Sequence, residues 1–339
     1  MNQSPRFLRA KRVGLWSLIL LALPALAAAD MPPAVQEGAK KEGEVVLYGA
    51  FPGQATKSVR DVFEKTYGLK VNNWRGGADE ILKRIAGESK GGGVLFDVVV
   101  GNDAVMAALD KKGLLESFEP PAARSFPRQL LHPEHRMTPW RVFAFGINFN
   151  TQRLTADQTP KKWEDLLDPK WKRKIIMANP ALHAGTLQFL LNLEKLLGAK
   201  WLNVVQGLAR QRPHLTRDPP EEIPTLVSGE TPVAIGFIKD KFQFAGPIDF
   251  TRMDRYLASA SYIAVARRAP HPNAARLFAD FFLGPEPQQM IANLGDYVLH
   301  PDVEDRFRNE VTDDQIVPMR VPSAPEREAW TKKFREMFK

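Results

Sequence analysis

PKKWEDLLDPKWKRKIIMANPALHAGT, residues 160–186, is the stretch that decides the fold. It predicts a polar surface helix, a turn at a proline, a short buried strand at Lys174–Ala178 and a loop that leads into a helix at Gly185. The first turn of a helix carries backbone N–H groups without intrahelical partners, and such a turn favours anions. The stretch therefore predicts an α/β unit whose strand ends beside an anion-compatible loop.

The same alternation of short apolar strands and amphipathic helices runs along the chain on both sides of this stretch. It restarts after a long apolar strand at Arg141–Asn150, and a second crossing is predicted at Ser261–Ala266. Two restarts and two crossings predict an α/β protein of two lobes, each a mostly parallel sheet flanked by helices, joined by two crossover strands. The predicted lobes are residues 30–143 with 258–298, and residues 144–257 with 299–339.

The first 29 residues predict a secretory signal peptide. A basic segment with Arg6, Arg9, Lys11 and Arg12 precedes an apolar run, and Ala27–Ala29 supplies small residues for cleavage. Removing this segment takes away four basic residues and lowers the formal charge from +8 to +4. We therefore expect an exported, periplasmic protein.

Composition excludes several classes of function. The chain has no cysteine, so it has no thiol nucleophile, no thiolate metal site and no disulfide. Its 44% hydrophobic and 25% charged residues are ordinary for a globular protein. The small mature charge and the lack of a basic stripe with aromatic residues argue against nucleic acid as a partner. The pattern His132-Pro133-Glu134-His135 lies in a loop broken by proline, so we predict no metal site there.

Side chains at predicted strand ends give the candidate ligand site. Arg75 and Arg217 directly follow strands, and Arg141 begins a crossover strand. Guanidinium groups pair with carboxylates or phosphates through two charge-assisted hydrogen bonds. Helix starts at Gly77 and Gly185 add backbone donors, and aromatic residues supply apolar walls. The candidate ligand-binding residues are Phe51, Arg75, Gly77, Asn102, Trp140, Arg141, Asn179, Thr186, Arg217, Phe237 and Tyr297.

This set predicts a small organic anion as ligand, either a carboxylate or a phosphate or phosphonate compound. We predict no catalytic residue, no metal and no cofactor. The chain has no Gly-x-Ser-x-Gly motif, which leaves an exported enzyme on a related two-lobe scaffold as the weaker hypothesis.

Five motifs in a fixed order resemble one family, the solute-binding proteins of bacterial ABC transporters, and within it the branch for ferric iron, thiamine and spermidine. The resemblance implies a type 2 periplasmic binding fold, a monomer, a small-molecule ligand and an ABC permease as partner. The motifs are the Trp163–Lys172 run, Gly76–Glu80, Gly146–Asn150, Ser228–Gly236 and Ala269–Ala275.

Ferric-iron members of this family hold the metal with two tyrosines on the loop after the returning strand. Here that loop, Ile235–Phe242, contains Phe237 and Phe242 but no tyrosine. A phenyl ring offers no oxygen to a hard cation. The resemblance therefore leaves ferric iron as an alternative only if a chelating anion accompanies the metal.

Overall fold

The computed structural model describes residues 31–49, 53–90, 93–126 and 128–339. The predicted signal peptide and Phe51 lie outside these residues. The strands are β1 (Glu44–Gly49), β2 (Lys70–Arg75), β3 (Val98–Asn102), β4 (Thr138–Asn150), β5 (Ile175–Ala178), β6 (His214–Thr216), β7 (Val233–Phe237), β8 (Ile248–Phe250), β9 (Tyr256–Val265), β10 (Tyr297–Val298) and β11 (Ile316–Pro318).

Helices cover the sheets and supply the loops that follow the strands. The α-helices are α1 (Pro33–Glu42), α2 (Gly53–Tyr67), α3 (Ala78–Lys90), α4 (Asp103–Lys111), α5 (Ala184–Asn192), α6 (Glu194–Leu197), α7 (Trp201–Arg210), α8 (Ile223–Ser228), α9 (Asp240–Gln243), α10 (Pro272–Leu283), α11 (Pro285–Ala292) and α12 (Ala324–Met337). None of these helices is long and apolar enough to cross a membrane.

Strand β4 is the element that joins two sheets. In the first sheet the order is β2-β1-β3-β9-β4, with β1, β2 and β3 parallel to one another. In the second sheet the order is β4-β7-β5-β6, with β5 parallel to both of its neighbours. Strand β4 pairs with β9 as far as Ala144 and with β7 from Phe145 onward. A 13-residue strand is therefore long enough to leave one sheet and enter the other.

The predicted lobe boundaries remain a prediction. Strand β4 changes partner between Ala144 and Phe145, one residue beyond the predicted end of the first segment at residue 143. The C-terminal segment contacts both lobes. Strand β11 pairs with β9 of the first sheet. The ring of Trp330 in α12 lies 5.3 Å from the ring of Trp201 in α7, which is in the predicted second lobe.

The stretch 160–186 forms the predicted buried strand β5, and a helix, α5, begins at Ala184. The predicted surface helix before it is wrong: the residues form two 3-10 turns, Trp163–Leu167 and Pro169–Trp171. Proline has no N–H and disfavours helical backbone in the residue before it, so Pro169 divides the segment. Both tryptophans are buried, and the ring of Trp163 lies 5.0 Å from that of Phe189.

Candidate functional site

A cavity of about 340 Å³ lies between the two sheets. Residues at the end of β3, just after it and in β9 line it from the first sheet, and residues after β5 and at the end of β7 line it from the second. Phe143, in the part of β4 that connects them, and the segment before and within α12 complete the wall. Its lining residues are Asn102, Asp103, Ala104, Phe143, His183, Ala184, Gly185, Gln188, Phe237, Ser259, Val321, Pro322 and Arg327.

Two helix N-termini face this cavity from opposite sheets. Asn102 caps α4, and its side chain accepts a hydrogen bond from the N–H of Val105 at 3.1 Å. His183 caps α5, and its Nδ1 accepts from the N–H of Thr186 at 3.1 Å. Burial lowers the pKa of His183, although the nearby carboxylate of Asp218 opposes this effect. A neutral ring is required for Nδ1 to accept, so this cap fits an unprotonated histidine.

A buried cluster of two cations and one carboxylate lies behind the aromatic wall; we call Arg141, Lys239 and Asp296 the positive cluster. Asp296 accepts from Arg141 at 2.5 Å and from Lys239 at 3.2 Å. The guanidinium carbon and the ammonium nitrogen lie 4.5 Å and 4.9 Å from the ring centre of Phe143, which lines the cavity. With one carboxylate between two cations, the cluster adds positive charge next to the cavity.

Asp103 is the carboxylate in the cavity wall, and its side chain is already engaged. Tyr262 donates to it, and Gln188 donates to its Oδ2 at 3.4 Å. Burial raises the pKa of Asp103, while these hydrogen bonds act in the opposite direction. Because Asp103 follows β3 and Gln188 lies in α5, this hydrogen bond connects the two sides of the cavity.

No three His, Cys, Asp or Glu side chains of the described residues come together as metal ligands. All five tyrosines of the chain are described, and none lines the 340 Å³ cavity. Tyr262 lines a smaller adjoining cavity of about 80 Å³ and donates to Asp103. The cavity therefore lacks the phenol oxygens that the resemblance associates with ferric iron.

Residues 94–315 match the sequence profile of the bacterial extracellular solute-binding proteins. The chain belongs to this family. It is a solute-binding protein of the ABC-transporter type with a two-lobe periplasmic binding fold, as the sequence predicted. An uncharacterized protein of Haemophilus influenzae is 24% identical over 293 residues, which are 80% of this chain and 81% of that protein.

Solved structures with the same fold share few residues with this solute-binding protein. Iron-bound HitA from Pseudomonas aeruginosa has a TM-score of 0.70 at 17% identity and covers 86% of this chain and 99% of its own. AfuA from Actinobacillus pleuropneumoniae, with fructose-6-phosphate bound, has a TM-score of 0.67 at 20% identity over 87% and 98%. A substrate-binding protein of an ABC transporter from Agrobacterium tumefaciens has a TM-score of 0.71 at 13% identity over 90% and 97%. At these identities the likeness establishes the fold and leaves the ligand open.

Two of the predicted ligand residues of this solute-binding protein, Asn102 and Phe237, line the cavity. Thr186 is buried behind it, where its Oγ1 lies 2.8 Å from Nδ1 of His183. Asn179 lies in the loop between β5 and α5, and its Oδ1 accepts from the N–H of Ala181 at 2.9 Å. Thr186 and Asn179 thus shape the loop rather than line the cavity.

Three other predicted residues lie in the core. The ring of Trp140 is buried 5.1 Å from that of Phe282. Arg141 is held in the positive cluster, and Tyr297 is buried with its hydroxyl bonded to Asp313. All three side chains are buried, which sequence position at a crossing does not reveal.

Arg75, Gly77 and Arg217 lie at strand ends but outside the cavity wall. Arg75 and Arg217 are exposed, on β2 and just after β6. These are the outer strands of their sheets, whereas the cavity lies beside β3 and β7. The N–H of Gly77 donates to the Glu80 carboxylate at 2.7 Å, so this donor already has an anionic acceptor.

Sequence reasoning missed Phe143, Gln188, Ser259 and Arg327 as wall residues. Phe143 and Ser259 are in the middle of long strands, whereas the prediction considered strand ends. Gln188 follows Gly185 by three residues, so it lies on the same helix face, and that spacing was a usable signal. Nothing in the sequence of α12 indicates that Arg327 lies beside this cavity.

Proposed function

We propose that this protein binds a small organic anion in the cavity between its lobes, in the periplasm, and delivers it to an ABC permease. The observation that carries the proposal is the charge around the aromatic wall. The positive cluster has two cations for one carboxylate, and Arg327 adds a third cation from α12, so the cations outnumber the carboxylates even with Asp103 of the wall included. Positive charge with little water around it attracts an anion more strongly than exposed charge does.

The helix N-termini support the same class of ligand. The first turns of α4 and α5 reach the cavity from opposite lobes, and each carries the positive end of a helix dipole. Phe143 and Phe237, with ring centres 5.4 Å apart, offer an apolar surface for the carbon skeleton. We therefore favour a carboxylate or a phosphate or phosphonate ester with an organic body over a bare inorganic ion.

Donors on opposite lobes also supply a driving force for closure. A ligand shifts a conformational equilibrium only by its difference in affinity for the two states. An anion that contacts α4 and α5 together gains both contacts only when the lobes are close. The hydrogen bond from Gln188 to Asp103 provides a contact across the same gap. The predicted function is binding and release, without turnover of the ligand.

Thermal-shift measurements with defined probes test this class of ligand. Fructose-6-phosphate, citrate and a phosphonate are the anionic probes; spermidine and thiamine are the cationic ones. We expect a saturable rise in melting temperature with at least one anionic probe and none with the cations. A saturable shift with spermidine or thiamine alone would contradict the proposal.

Ferric iron with a chelating anion is the second candidate, because this cavity has donors for an anion but no tyrosine. Ferric citrate and citrate alone separate the two. A shift with ferric citrate that citrate does not produce, with iron retained through gel filtration, would establish the iron version. Equal shifts with both would assign binding to the anion.

A further inference from the structure

The loop after β7 also contributes to a second buried group of polar side chains, which we call the acidic cluster: Glu222, Asp240 and Asn148. Their exposed fractions are 1%, 4% and 0%. Both carboxylate oxygens of Glu222, Oδ2 of Asp240 and Oδ1 of Asn148 have no hydrogen-bond partner. Buried polar atoms without partners are rare and costly, so four in one cluster require a physical explanation.

Gly236 places these groups around one small volume. A methyl group added at Gly236 would lie 2.8 Å from Oε2 of Glu222 and 3.6 Å from Oδ2 of Asp240. The amide nitrogen of Asn148 would be 3.5 Å from the same point. That nitrogen donates to the carbonyl of Phe237 at 3.0 Å, which fixes the amide and leaves its oxygen as the acceptor without a partner.

Charge around the acidic cluster is unbalanced. Asp218 adds a third negative charge nearby and raises the pKa of Glu222 further, after the larger effect of burial. Lys239 is the cation that acts on Asp240, but its ammonium group is bonded to Asp296 in the positive cluster. The backbone N–H of Ala178 lowers the pKa of Glu222. It does not complete a hydrogen bond to either carboxylate oxygen.

We propose that Glu222 and Asp240 bind one metal cation through their carboxylate oxygens, beside the buried amide of Asn148, with calcium the best match. Hard cations take carboxylate and amide oxygens, and two carboxylates balance a divalent charge. Calcium accepts irregular oxygen geometry, whereas magnesium requires a near-octahedral site and retains water. Gly236 leaves room beside these groups, because a larger residue there would contact Glu222.

This site is separate from the ligand cavity, because neither carboxylate lines that cavity. It is nevertheless close in sequence to the cavity wall: Phe237, at the end of β7, lines the cavity, Lys239 belongs to the positive cluster, and Asp240, at the start of α9, belongs to the acidic cluster. A bound cation would hold the segment after β7, through Asp240, to the segment before α8, through Glu222. The expected role is to fix the position of the cavity wall.

Melting temperature with single cations tests the site. The mature protein is treated with EGTA, dialysed, and titrated at constant ionic strength with calcium, magnesium, sodium or potassium chloride. We expect a saturable rise of roughly 3 to 8 °C with calcium, a weaker response to the others, and one calcium per chain in elemental analysis.

Two variants and a matched control decide whether these residues are the ligands. Glu222→Gln and Asp240→Asn should fold, because each removes a buried charge, and both should lose the calcium response. Glu221→Gln changes the neighbouring exposed carboxylate, which accepts from the N–H of Arg217, and should keep the response. An unchanged calcium shift in Glu222→Gln would overturn the proposal. A wild-type protein whose melting temperature responds to no cation would also overturn it, because Glu222 and Asp240 would then share a proton instead.

Discussion

Lys239 and Asp240 are neighbours in the chain, but their side chains join buried clusters of opposite character. In the positive cluster each charged group contacts an opposite charge, with Asp296 bonded to both Arg141 and Lys239. In the acidic cluster two carboxylates lie together and no side chain donates to their free oxygens. Burial of charge is tolerated in the first by pairing, whereas the second must take up a proton or a cation.

The largest expected effect comes from breaking the positive cluster. Asp296→Asn removes the carboxylate and leaves two buried cations without a counter-charge, so we expect a loss of about 3–5 kcal/mol in the free energy of unfolding. Urea unfolding followed by tryptophan fluorescence measures it. Asp254→Asn, at an exposed position, is the control. A loss below about 1 kcal/mol in the free energy of unfolding would mean that the folded protein tolerates Arg141 and Lys239 without the carboxylate of Asp296.

The next effect is the pH dependence of the two clusters, which should have opposite signs. Burial would raise the pKa of Asp296, but Arg141 and Lys239 outweigh it and the pKa is lowered. The stabilisation by Asp296 is therefore present above pH 4 and lost as the pH falls.

In the acidic cluster, burial raises the pKa of Asp240 to about 7, and the charge of Lys239 opposes this rise. A carboxyl with a raised pKa contributes most below pH 4, and this contribution is lost as the pH rises toward 7.

Comparing Asp240→Asn with the wild type in EGTA isolates the pH dependence of stability that Asp240 causes. Between pH 4.5 and 7.5 the free energy of unfolding of the wild type should fall by roughly 2–4 kcal/mol relative to the variant. Parallel pH profiles would show that Asp240 titrates normally in the folded protein. Added calcium should reduce the difference, because a bound cation favours the charged carboxylate.

A smaller effect is expected from removing the cation that lies between the clusters. Lys239→Met keeps the length of the side chain and leaves Asp296 paired with Arg141. We expect about a tenfold loss in affinity for whichever anionic probe binds, which corresponds to ~1.4 kcal/mol. Calorimetry of wild type and variant measures it. Lys241→Met, two residues further on in α9 and paired with Glu310 at 2.6 Å, should bind normally. Equal losses in the two variants would remove the positive cluster from ligand binding.

The smallest effect should come from an ion-pair network at the surface. Glu310 contacts Lys241 and Arg252, whose side chains are 23% and 44% exposed. These side chains keep partial contact with water, so Glu310→Gln should change the free energy of unfolding by less than about 1 kcal/mol. A loss as large as that of Asp296→Asn would show that burial is not what separates these networks.

Much of the fold was predictable because its signals are local. The apolar run at Lys174–Ala178 located β5 to within a residue, and the long apolar run at Arg141–Asn150 predicted the strand that changes sheets. The 3-10 turns at Trp163–Leu167 were not predicted, because their composition resembles a helix and Pro169 acts only on the residues next to it.

The site was less predictable because it depends on strand order and facing. Asn102 and Phe237 are the last residues of strands that border the cavity, and their position at strand ends predicted their place in its wall. Arg75 and Arg217 also follow strands, but β2 and β6 are the outer strands of their sheets. Arg141 has the right chemistry, yet it is held in a buried cluster whose partners, Lys239 and Asp296, are distant in sequence.

Native mass spectrometry of the protein purified from cells that express and export it tests the central claim most directly. The molecule released from the cavity is identified by its mass and by its charge in solution. We predict one small organic anion per chain, with occupancy reduced in Lys239→Met and unchanged in Lys241→Met. A released polyamine or thiamine, or iron held without an organic anion, would contradict the account.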